Sequence, residues 1–171
     1  AEGLADRDKL IIRGSSAGGL TVLAALTFED VFSAGASYYG ISDLSSLADD
    51  THKFEKHYTD RLVGPYPESE ATYRERSPIH HTELMNCPVI FFQGNADRVV
   101  PKEQARMMYD ALSKKGVPVA AHFYESEQHG FRQADTIKQS LENELRFYQL
   151  IFKLRPRQEV SFIGEIETDN L

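Results

Sequence analysis

The amino-acid sequence predicts an α/β fold with a mostly parallel sheet and flanking helices. Strand-like and helix-like segments alternate along the chain, and this alternation is typical of parallel sheets, in which crossover helices return the chain to the same end. The run Pro88 to Gln93 is continuously apolar and ends at Gly94, as expected for a strand buried on both faces. Ligand sites of such sheets lie at the carboxyl ends of the strands.

The first half of the chain contains two predicted strands and one predicted helix. Residues 8–13 indicate a short buried strand, and Leu20 to Phe28 is apolar on nearly every side, which indicates a buried helix. Ala34 to Gly40 is the second predicted strand. The segment from Ile41 to Glu83 mixes aromatic and charged residues with Gly-Pro and Ser-Pro breaks, which predicts short helices that lie over the strand ends and shape a pocket.

The second half adds a fourth strand and two helices. Val117 to Tyr124 is the fourth predicted strand. The helix from Pro101 to Lys115 opens with proline, which favours the first helical position, and ends at Gly116. The last helix, from Asp135 to Leu154, is expected to cover the sheet with one apolar stripe: Ile137, Leu141, Leu145, Tyr148 and Phe152.

Length and composition indicate one domain followed by a tail. A chain of 171 residues with 41% hydrophobic residues is long enough for one sizeable core. The predicted domain spans residues 1–155, and residues 156–171 form the tail. Within that tail Val160 to Ile163 could form a strand, whereas the last residues are expected to fray.

Charge and cysteine content exclude several classes of function. The formal net charge of −7 and the lack of a long Lys/Arg run argue against nucleic acid or an anionic membrane as a partner. The sequence has no apolar stretch of 18 residues and no basic-then-apolar start, so we expect neither a membrane span nor a signal peptide. Cys87 is the single cysteine and is expected to pack in the core. These features favour the cytoplasm.

The run Gly14-Ser15-Ser16-Ala17-Gly18 follows an apolar strand and precedes an apolar helix. This is the pattern of a nucleophile elbow, in which a strand turns at once into a helix and small residues flank a strained serine. The pattern predicts Ser16 as a nucleophile and the backbone N–H of Ala17 as one donor to the oxyanion. A plain Gly/Ser turn between two core elements is the alternative.

A nucleophilic serine needs a base and an acid, which α/β-hydrolases carry downstream in the order acid, then histidine. Asp97 follows the third strand, where a turn or cap role is the alternative. His129 follows the fourth strand, and Gly130 allows a sharp backbone path behind it. All three residues are thus predicted in strand-end loops, which makes a serine hydrolase the leading hypothesis.

The other histidines do not fit the role of base. His52 and His57 lie in the segment 41–83, and His122 lies inside a predicted strand. The pair His80 and His81 could suggest a metal, but no second cluster with ligand spacing accompanies it. We therefore expect neither a metal nor another cofactor.

Three motifs together resemble the prolyl oligopeptidase family of serine peptidases, in its acylaminoacyl-peptidase and dipeptidyl-peptidase branches. They are Gly14 to Gly19, Asp97 to Pro101 with Gln104 following, and His129-Gly130-Phe131. The resemblance extends from about Asp6 to Phe152. It implies the C-terminal part of an α/β-hydrolase catalytic domain with Ser16 as nucleophile, Asp97 as orienting acid and His129 as general base.

The resemblance also implies a peptide-binding pocket. Aromatic residues of the segment 41–83 would surround the residue that precedes the scissile bond, and Phe54, Tyr58 and the nearby Tyr39 are the candidates. A small or apolar residue is the implied preference at that position. Ordinary packing under a long loop is the alternative for Phe54 and Tyr58.

The family pattern implies sequence upstream of this chain. A full catalytic domain of the family has several strands before the serine strand, a β-propeller before those, and an upstream tyrosine as second oxyanion donor. We therefore expect N-terminal strands of the sheet to be missing here, leaving an exposed edge that could pair two copies in a homodimer. A carboxylesterase and a catalytically silent α/β module remain alternative functions.

Overall fold

The computed structural model describes residues 3–50, 58–154 and 161–171, which contain a five-stranded sheet in the order β1-β2-β3-β4-β5. The first four strands run parallel, and β5 pairs antiparallel with β4. This arrangement confirms the predicted mostly parallel sheet. The strands are β1 (Ile11–Ser15), β2 (Ala34–Tyr38), β3 (Val89–Gly94), β4 (Val119–Tyr124) and β5 (Glu167–Asp169).

The described residues include six α-helices, which connect the strands or cover the sheet. They are α1 (Ala17–Phe28), α2 (Leu44–Asp50), α3 (Tyr58–Leu62), α4 (Glu70–Arg76), α5 (Glu103–Lys115) and α6 (Ala134–Ile151). The short helices α2 to α4 lie in the segment for which short helices are predicted. None of the helices in these ranges is long and apolar enough to span a bilayer.

The central strand β3 faces two cores, because successive side chains of a strand point to opposite faces. Val89 and Phe91 contribute to the core against α1 and α5. Ile90 and Phe92 contribute to the core against α6. All residues of β3 are buried, as its uninterrupted apolar run predicts.

The predicted apolar stripe of α6 is wrong in its first three positions. Ile137, Leu141 and Leu145 are 42%, 48% and 51% exposed, whereas Tyr148 is buried as expected. The face turned toward the sheet carries mainly polar residues: Thr136, Ser140, Asn143 and Glu144, followed by Phe147 and Tyr148. Hydrophobic periodicity misses this face because its polar groups find partners only in the folded chain.

Glu144 shows why a polar face is buried. Its carboxylate accepts hydrogen bonds from the hydroxyls of Tyr38 at 2.6 Å and Tyr148 at 3.2 Å. The guanidinium of Arg13 lies 3.1 Å from the same carboxylate and 5.2 Å from the centre of the Tyr38 ring. These partners come from β1, β2 and α6, and they offset the cost of removing the charge from water.

The tail also differs from its prediction. Residues 161–163 lie outside the strands, and Val160 lies outside the described residues. The strand is instead β5, an exposed Glu-Thr-Asp run that pairs with β4. Arg106 donates to Glu167 at 2.7 Å and Ser113 donates to Asp169 at 2.7 Å, so these last residues are held rather than frayed. Backbone pairing, one ion pair and side-chain hydrogen bonds position this strand, and none of these leaves an apolar pattern in the sequence.

Candidate active site

The structure brings together the three residues predicted to form a triad. Ser16 follows β1, Asp97 follows β3 and His129 follows β4, so parallel strands deliver all three to one edge of the sheet. The Oγ of Ser16 lies 2.8 Å from Nε2 of His129. The Nδ1 of His129 lies 2.8 Å from Oδ2 of Asp97. A hydroxyl, an imidazole and a carboxylate in this order can move a proton from oxygen to nitrogen.

Ser16 lies at a strained turn between β1 and α1. Its backbone has φ 55° and ψ −122°, a conformation that costs free energy for a residue with a side chain. The N–H of Ser16 donates to the carbonyl of Tyr38 at 2.9 Å, and the serine carbonyl accepts from Gly19 at 2.8 Å. The surrounding structure thus holds the serine in this geometry.

Two glycines make the turn possible, and one of them differs from the prediction. A Cβ on Gly14 would lie 2.3 Å from the carbonyl oxygen of Gly18, and a Cβ on Gly19 would lie 2.5 Å from Cα of Gly40. A Cβ on Gly18 would meet nothing within 4 Å. The steric demand therefore falls on Gly14 and Gly19 rather than on both glycines of the five-residue motif.

Replacing Gly14 and Gly18 with alanine, one at a time, tests this steric interpretation. Gly14→Ala is expected to destabilise the fold by about 1–3 kcal/mol, because the clash is with backbone that cannot move aside. Gly18→Ala should leave the melting temperature unchanged or raise it slightly, since alanine is favoured over glycine in a helix. Thermal unfolding at about 2–4 °C per kcal/mol resolves the difference. Equal melting temperatures of the two variants would contradict a steric demand at Gly14.

The carboxylate of Asp97 is fully buried and held by several donors. Its Oδ1 accepts the backbone N–H groups of Val99 at 2.8 Å and Val100 at 2.9 Å. Its Oδ2 accepts from the buried amide of Gln93 at 3.3 Å as well as from His129. These donors fix the orientation of the carboxylate toward the imidazole. Asp97 is thus both a loop-capping residue and the partner of His129.

The loop that carries His129 is held by a buried glutamate. The carboxylate of Glu127 accepts the backbone N–H groups of Arg132 at 3.1 Å and Gln133 at 3.0 Å, where α6 begins. The carbonyl of Glu127 accepts from Ala96 at 3.1 Å, in the loop that carries the aspartate. Gly130 adopts φ +82°, which confirms the sharp path predicted behind the histidine.

The predicted substrate-binding residues have different outcomes. Tyr39 lies against the site: its ring packs edge-on to His129 with 5.1 Å between ring centres and to Phe131 with 5.2 Å. Phe54 lies outside the described residues, and Tyr58 begins α3 with a side chain outside the described part of the structure. Tyr39 therefore restricts the imidazole on one side.

Ala17 is the first residue of α1, directly after the serine. Its N–H belongs to the first amides of a helix, which have no partner within the helix and lie at the positive end of its dipole. Together with Ser16 it lines a cavity of about 1070 Å³ beside His129. The sequence position predicted for one oxyanion donor thus borders a space large enough for a ligand.

The wall of this cavity is mainly apolar. Helix α1 contributes Leu20, and the loop after β3 contributes Val99 and Val100. The segment 41–83 contributes a further group of aliphatic side chains, namely Ile41, Leu44, Leu47, Leu62 and Val63. Charged and polar side chains also line it, among them Glu75, Arg76 and His81. Such a wall favours an apolar group next to Ser16.

His52 and His57 lie outside the described residues, and His80, His81, His122 and Cys87 take no part in the hydrogen-bonded series of Ser16, His129 and Asp97. His80 and His81 lie 3.9 Å from Asp43 and 4.0 Å from Glu83, respectively, and no group of three or more ligand residues that could hold a metal occurs in the described ranges. His122 is buried in β4, where burial lowers its pKa to about 4. Cys87 donates to the carbonyl of Phe32, and burial raises the pKa of its thiol.

Sequence reasoning missed Gln93 and Glu127, which hold the acid and the histidine loop. Gln93 appears in the sequence as the end of an apolar strand, and Glu127 as one of several polar loop residues. A capping residue stands at the start of a helix, whereas Glu127 lies eight residues before Asp135, where the last helix is predicted to begin, so no capping pattern marks it. No sequence pattern shows that both side chains are buried, at 0% and 3% exposure.

Comparison with known proteins gives a family and several relatives. The sequence profile of the prolyl oligopeptidase family matches residues 1–155. The chain is similar to a puromycin-hydrolysing peptidase of Mycobacterium tuberculosis, with a TM-score of 0.87 and 49% sequence identity over 91% of this chain and 24% of that one.

Curated relatives include both peptidases and esterases. Dipeptidyl peptidase family member 6 of Caenorhabditis elegans is 29% identical over 140 residues, which are 78% of this chain and 19% of that protein. The probable carboxylic ester hydrolase LipM of Mycobacterium tuberculosis is 32% identical over 142 residues, 74% of this chain and 33% of that protein. The chain thus spans about a fifth to a third of the length of these relatives.

Proposed function

The chain belongs to the prolyl oligopeptidase family, and we propose that it hydrolyses peptide bonds by a Ser-Asp-His triad through an acyl-enzyme. One observation carries this proposal: Ser16, His129 and Asp97 form a continuous hydrogen-bonded series with two contacts of 2.8 Å. The series starts at a strained strand-to-helix turn that exposes the serine to a large cavity. A silent α/β module would not need these contacts.

The acylation step follows from the positions of the three side chains. His129 takes the Oγ proton of Ser16 on Nε2 while the oxygen attacks the carbonyl carbon of the scissile bond. The buried carboxylate of Asp97 holds the ring with its proton on Nδ1 and stabilises the imidazolium. The imidazolium then donates its Nε2 proton to the leaving amine, the C–N bond breaks, and an ester to the serine remains.

Deacylation repeats the sequence with water in place of the serine. His129 removes a proton from a water molecule, which attacks the ester carbonyl, and the proton passes to the serine oxygen as the acid leaves. Both steps place negative charge on the former carbonyl oxygen. The N–H of Ala17 at the start of α1 is the proposed first donor to that oxygen.

The cavity supports a preference for an apolar residue before the scissile bond. The family resemblance implies a small or apolar residue there, and the aliphatic wall and the volume of about 1070 Å³ would accept a large apolar one. Burying an apolar side chain there is worth about 1.5–3 kcal/mol, enough to dominate the choice of substrate. We therefore propose large apolar residues at this position.

A fluorophosphonate probe followed by peptide mapping tests the function. The probe bonds covalently to an activated serine, so we expect the adduct on Ser16 and not on the adjacent Ser15. Labelling is expected to be slow if this chain has one oxyanion donor, because loss of one donor costs about 10²–10³ in turnover. Labelling elsewhere, or none even with the coding sequence upstream of Ala1 included, would argue against the proposal.

A carboxylesterase is the second candidate function, since the chain also resembles the ester hydrolase LipM. A triad does not by itself distinguish amide from ester substrates. Matched nitroanilide and nitrophenyl-ester substrates with the same acyl group separate the two. A peptidase should hydrolyse both, and an esterase the ester alone.

Partners are part of the same proposal. Because longer peptidases contain this region as about a quarter of their chain, we propose that further strands and a β-propeller adjoin it in a longer polypeptide. Such a segment would supply the second oxyanion donor and cover β1. The reading frame upstream of Ala1 is the simplest test.

The edge of the sheet at β1 is the proposed site of self-association for the 171-residue chain. β1 is the first strand of the sheet and pairs with β2, and Ile11 is 42% exposed. Arg13 of this strand lines one concavity with Ile137 and Leu141 of α6, so the exposed α6 stripe continues the edge. Within the described ranges β1 pairs with β2 alone, and such an edge beside an apolar stripe favours pairing with a second copy.

Light scattering is expected to show twice the monomer mass for this chain. Leu141→Lys should shift the protein toward monomer, because a buried charge in the contact is costly. Val31→Lys, which changes an equally exposed residue in the loop after α1, is the matched control and should stay dimeric. A monomer at every concentration would contradict the predicted dimer.

A further inference from the structure

A buried glutamine on α5 holds the stretch that leads from β2 into α2. The Oε1 of Gln104 accepts the backbone N–H groups of Ser42 and Asp43, each at 2.8 Å. Its Nε2 donates to the carbonyl of Asp43 at 3.0 Å and to the hydroxyl of Ser46 at 2.7 Å. Since two backbone donors must face oxygen, this network sets the orientation of the amide.

The backbone of the same glutamine adds a further contact. Its carbonyl accepts the hydroxyl of Ser42 at 2.7 Å. Gln104 is 2% exposed, and its neighbour Ala105 belongs to the core between α5 and the sheet. One side chain of a core helix therefore pairs with both backbone N–H groups of Ser42 and Asp43, with the carbonyl of Asp43 and with the hydroxyl of Ser46.

The stretch held in this way forms part of the cavity wall. Ile41, Leu44 and Leu47 border the same cavity as Ser16 and His129. The hydroxyl of Ser77 accepts the N–H of Leu44 at 2.9 Å. Ser77 belongs to the same segment 41–83 as the wall, whereas Gln104 connects the wall to a helix that is packed on the sheet.

Gln104 is also close in sequence to the loop of the triad acid. Its N–H donates to the carbonyl of Pro101 at 3.0 Å. The preceding residues Val99 and Val100 donate to Asp97 and border the cavity. The cavity wall and the loop that carries Asp97 are therefore both connected to the N-terminal end of α5.

We propose that Gln104 is a positioning residue for substrate selection, which holds the aliphatic wall of residues 41–47 at a fixed distance from Ser16. The inference rests on the proposed hydrolysis at Ser16. Without the amide, the buried N–H of Ser42 and the partly buried N–H of Asp43 would lose their partners. An unpaired buried N–H group is costly, so we expect the stretch to move. A displaced wall contacts a large substrate side chain less well and leaves the triad in place.

Two variants separate the hydrogen bonds from the volume of the side chain. Gln104→Met keeps most of the volume and removes the bonds, and Gln104→Ala removes both. With a phenylalanyl substrate we expect kcat/KM to fall about tenfold, mainly through KM. With an alanyl substrate that has the same leaving group, the loss should stay below about twofold. Glu103→Ala on the same turn of α5 should change neither value.

Two readouts distinguish this role from general damage. The rate of fluorophosphonate labelling and the pH profile of kcat/KM should match those of the unmodified protein. Equal losses on both substrates, or slower labelling, would overturn the proposal, because they would place the effect at the triad or on the whole fold. If the ratio of kcat/KM between the phenylalanyl and alanyl substrates were the same in Gln104→Met as in the unmodified protein, the proposal would be overturned as well.

Hydrogen exchange tests the contact without relying on catalysis. In Gln104→Met the amides of residues 42–47 should exchange faster, while those of α1 should exchange as before. Unchanged exchange at residues 42–47 would overturn the role of Gln104 even if Ser16 proved active. Absence of probe labelling on Ser16 even with the coding sequence upstream of Ala1 included would overturn the proposed function instead, and the exchange result would still decide the role of Gln104.

Discussion

Ser16→Ala is expected to lower kcat by about 10⁶-fold, to the level of the remaining binding and oxyanion effects. The alanine lacks the oxygen that lies 2.8 Å from His129, so no acyl-enzyme can form. His129→Ala should cost about as much, because the serine is a weak nucleophile without its base. The double variant should lose little more than either single one, since the two residues act as a unit.

The neighbouring serine provides a matched control for this result. Ser15 is the last residue of β1, and Ser15→Ala removes a hydroxyl one position from the turn. We expect hydrolysis and probe labelling of this variant to stay within about twofold of the unmodified chain, because Ser15 does not contact the imidazole. If the loss of kcat in the double variant of Ser16 and His129 equalled the product of the two single losses, a shared role for these residues would be refuted.

Asp97→Asn is expected to lower kcat by about 10⁴-fold while the fold persists. The asparagine oxygen can still accept the N–H groups of Val99 and Val100, so the loop keeps its shape. Its amide nitrogen, however, faces Nδ1 of His129 and favours the tautomer that carries the proton on Nε2. That tautomer cannot take the proton of Ser16.

Kinetics with a matched control distinguish this mechanism from a folding defect. The KM of Asp97→Asn should change little, since the residue is buried behind the histidine and does not border the cavity. Asp110→Asn replaces an exposed aspartate of α5 that lies 3.9 Å from Arg106, and its kcat should be unchanged. A rise in KM with unchanged kcat for Asp97→Asn would place its role in binding rather than in orienting the imidazole.

The arrangement of strands could be predicted largely from the sequence. β3 is an unbroken apolar run, and α5 is marked by Pro101 before it and Gly116 after it, so composition and caps agree. Periodicity failed at α6, where Glu144 and Asn143 face inward and Leu141 faces outward. The burial of a polar side chain depends on partners from distant strands, and a one-dimensional pattern does not contain them.

The candidate site also contains residues that could be predicted from the sequence and residues that could not. The order of Ser16, Asp97 and His129 after successive strands already predicted their meeting, because parallel strands end at one edge of a sheet. The roles of Gln93, Glu127 and Gln104 could not be predicted in this way. Each acts through contacts with residues far away in the chain or through burial, which sequence spacing does not encode.

The residues proposed to carry the chemistry, and their positions in strand-end loops, could be predicted from the sequence, because these features follow from local motifs and from the order of elements along the chain. The folded structure was needed to show which glycines the turn requires, which face of α6 is buried and what holds the wall of the cavity. Those properties depend on distances between residues that are remote in sequence, as between Gly19 and Gly40 or between Gln104 and Ser42. Such distances exist only after the chain has folded.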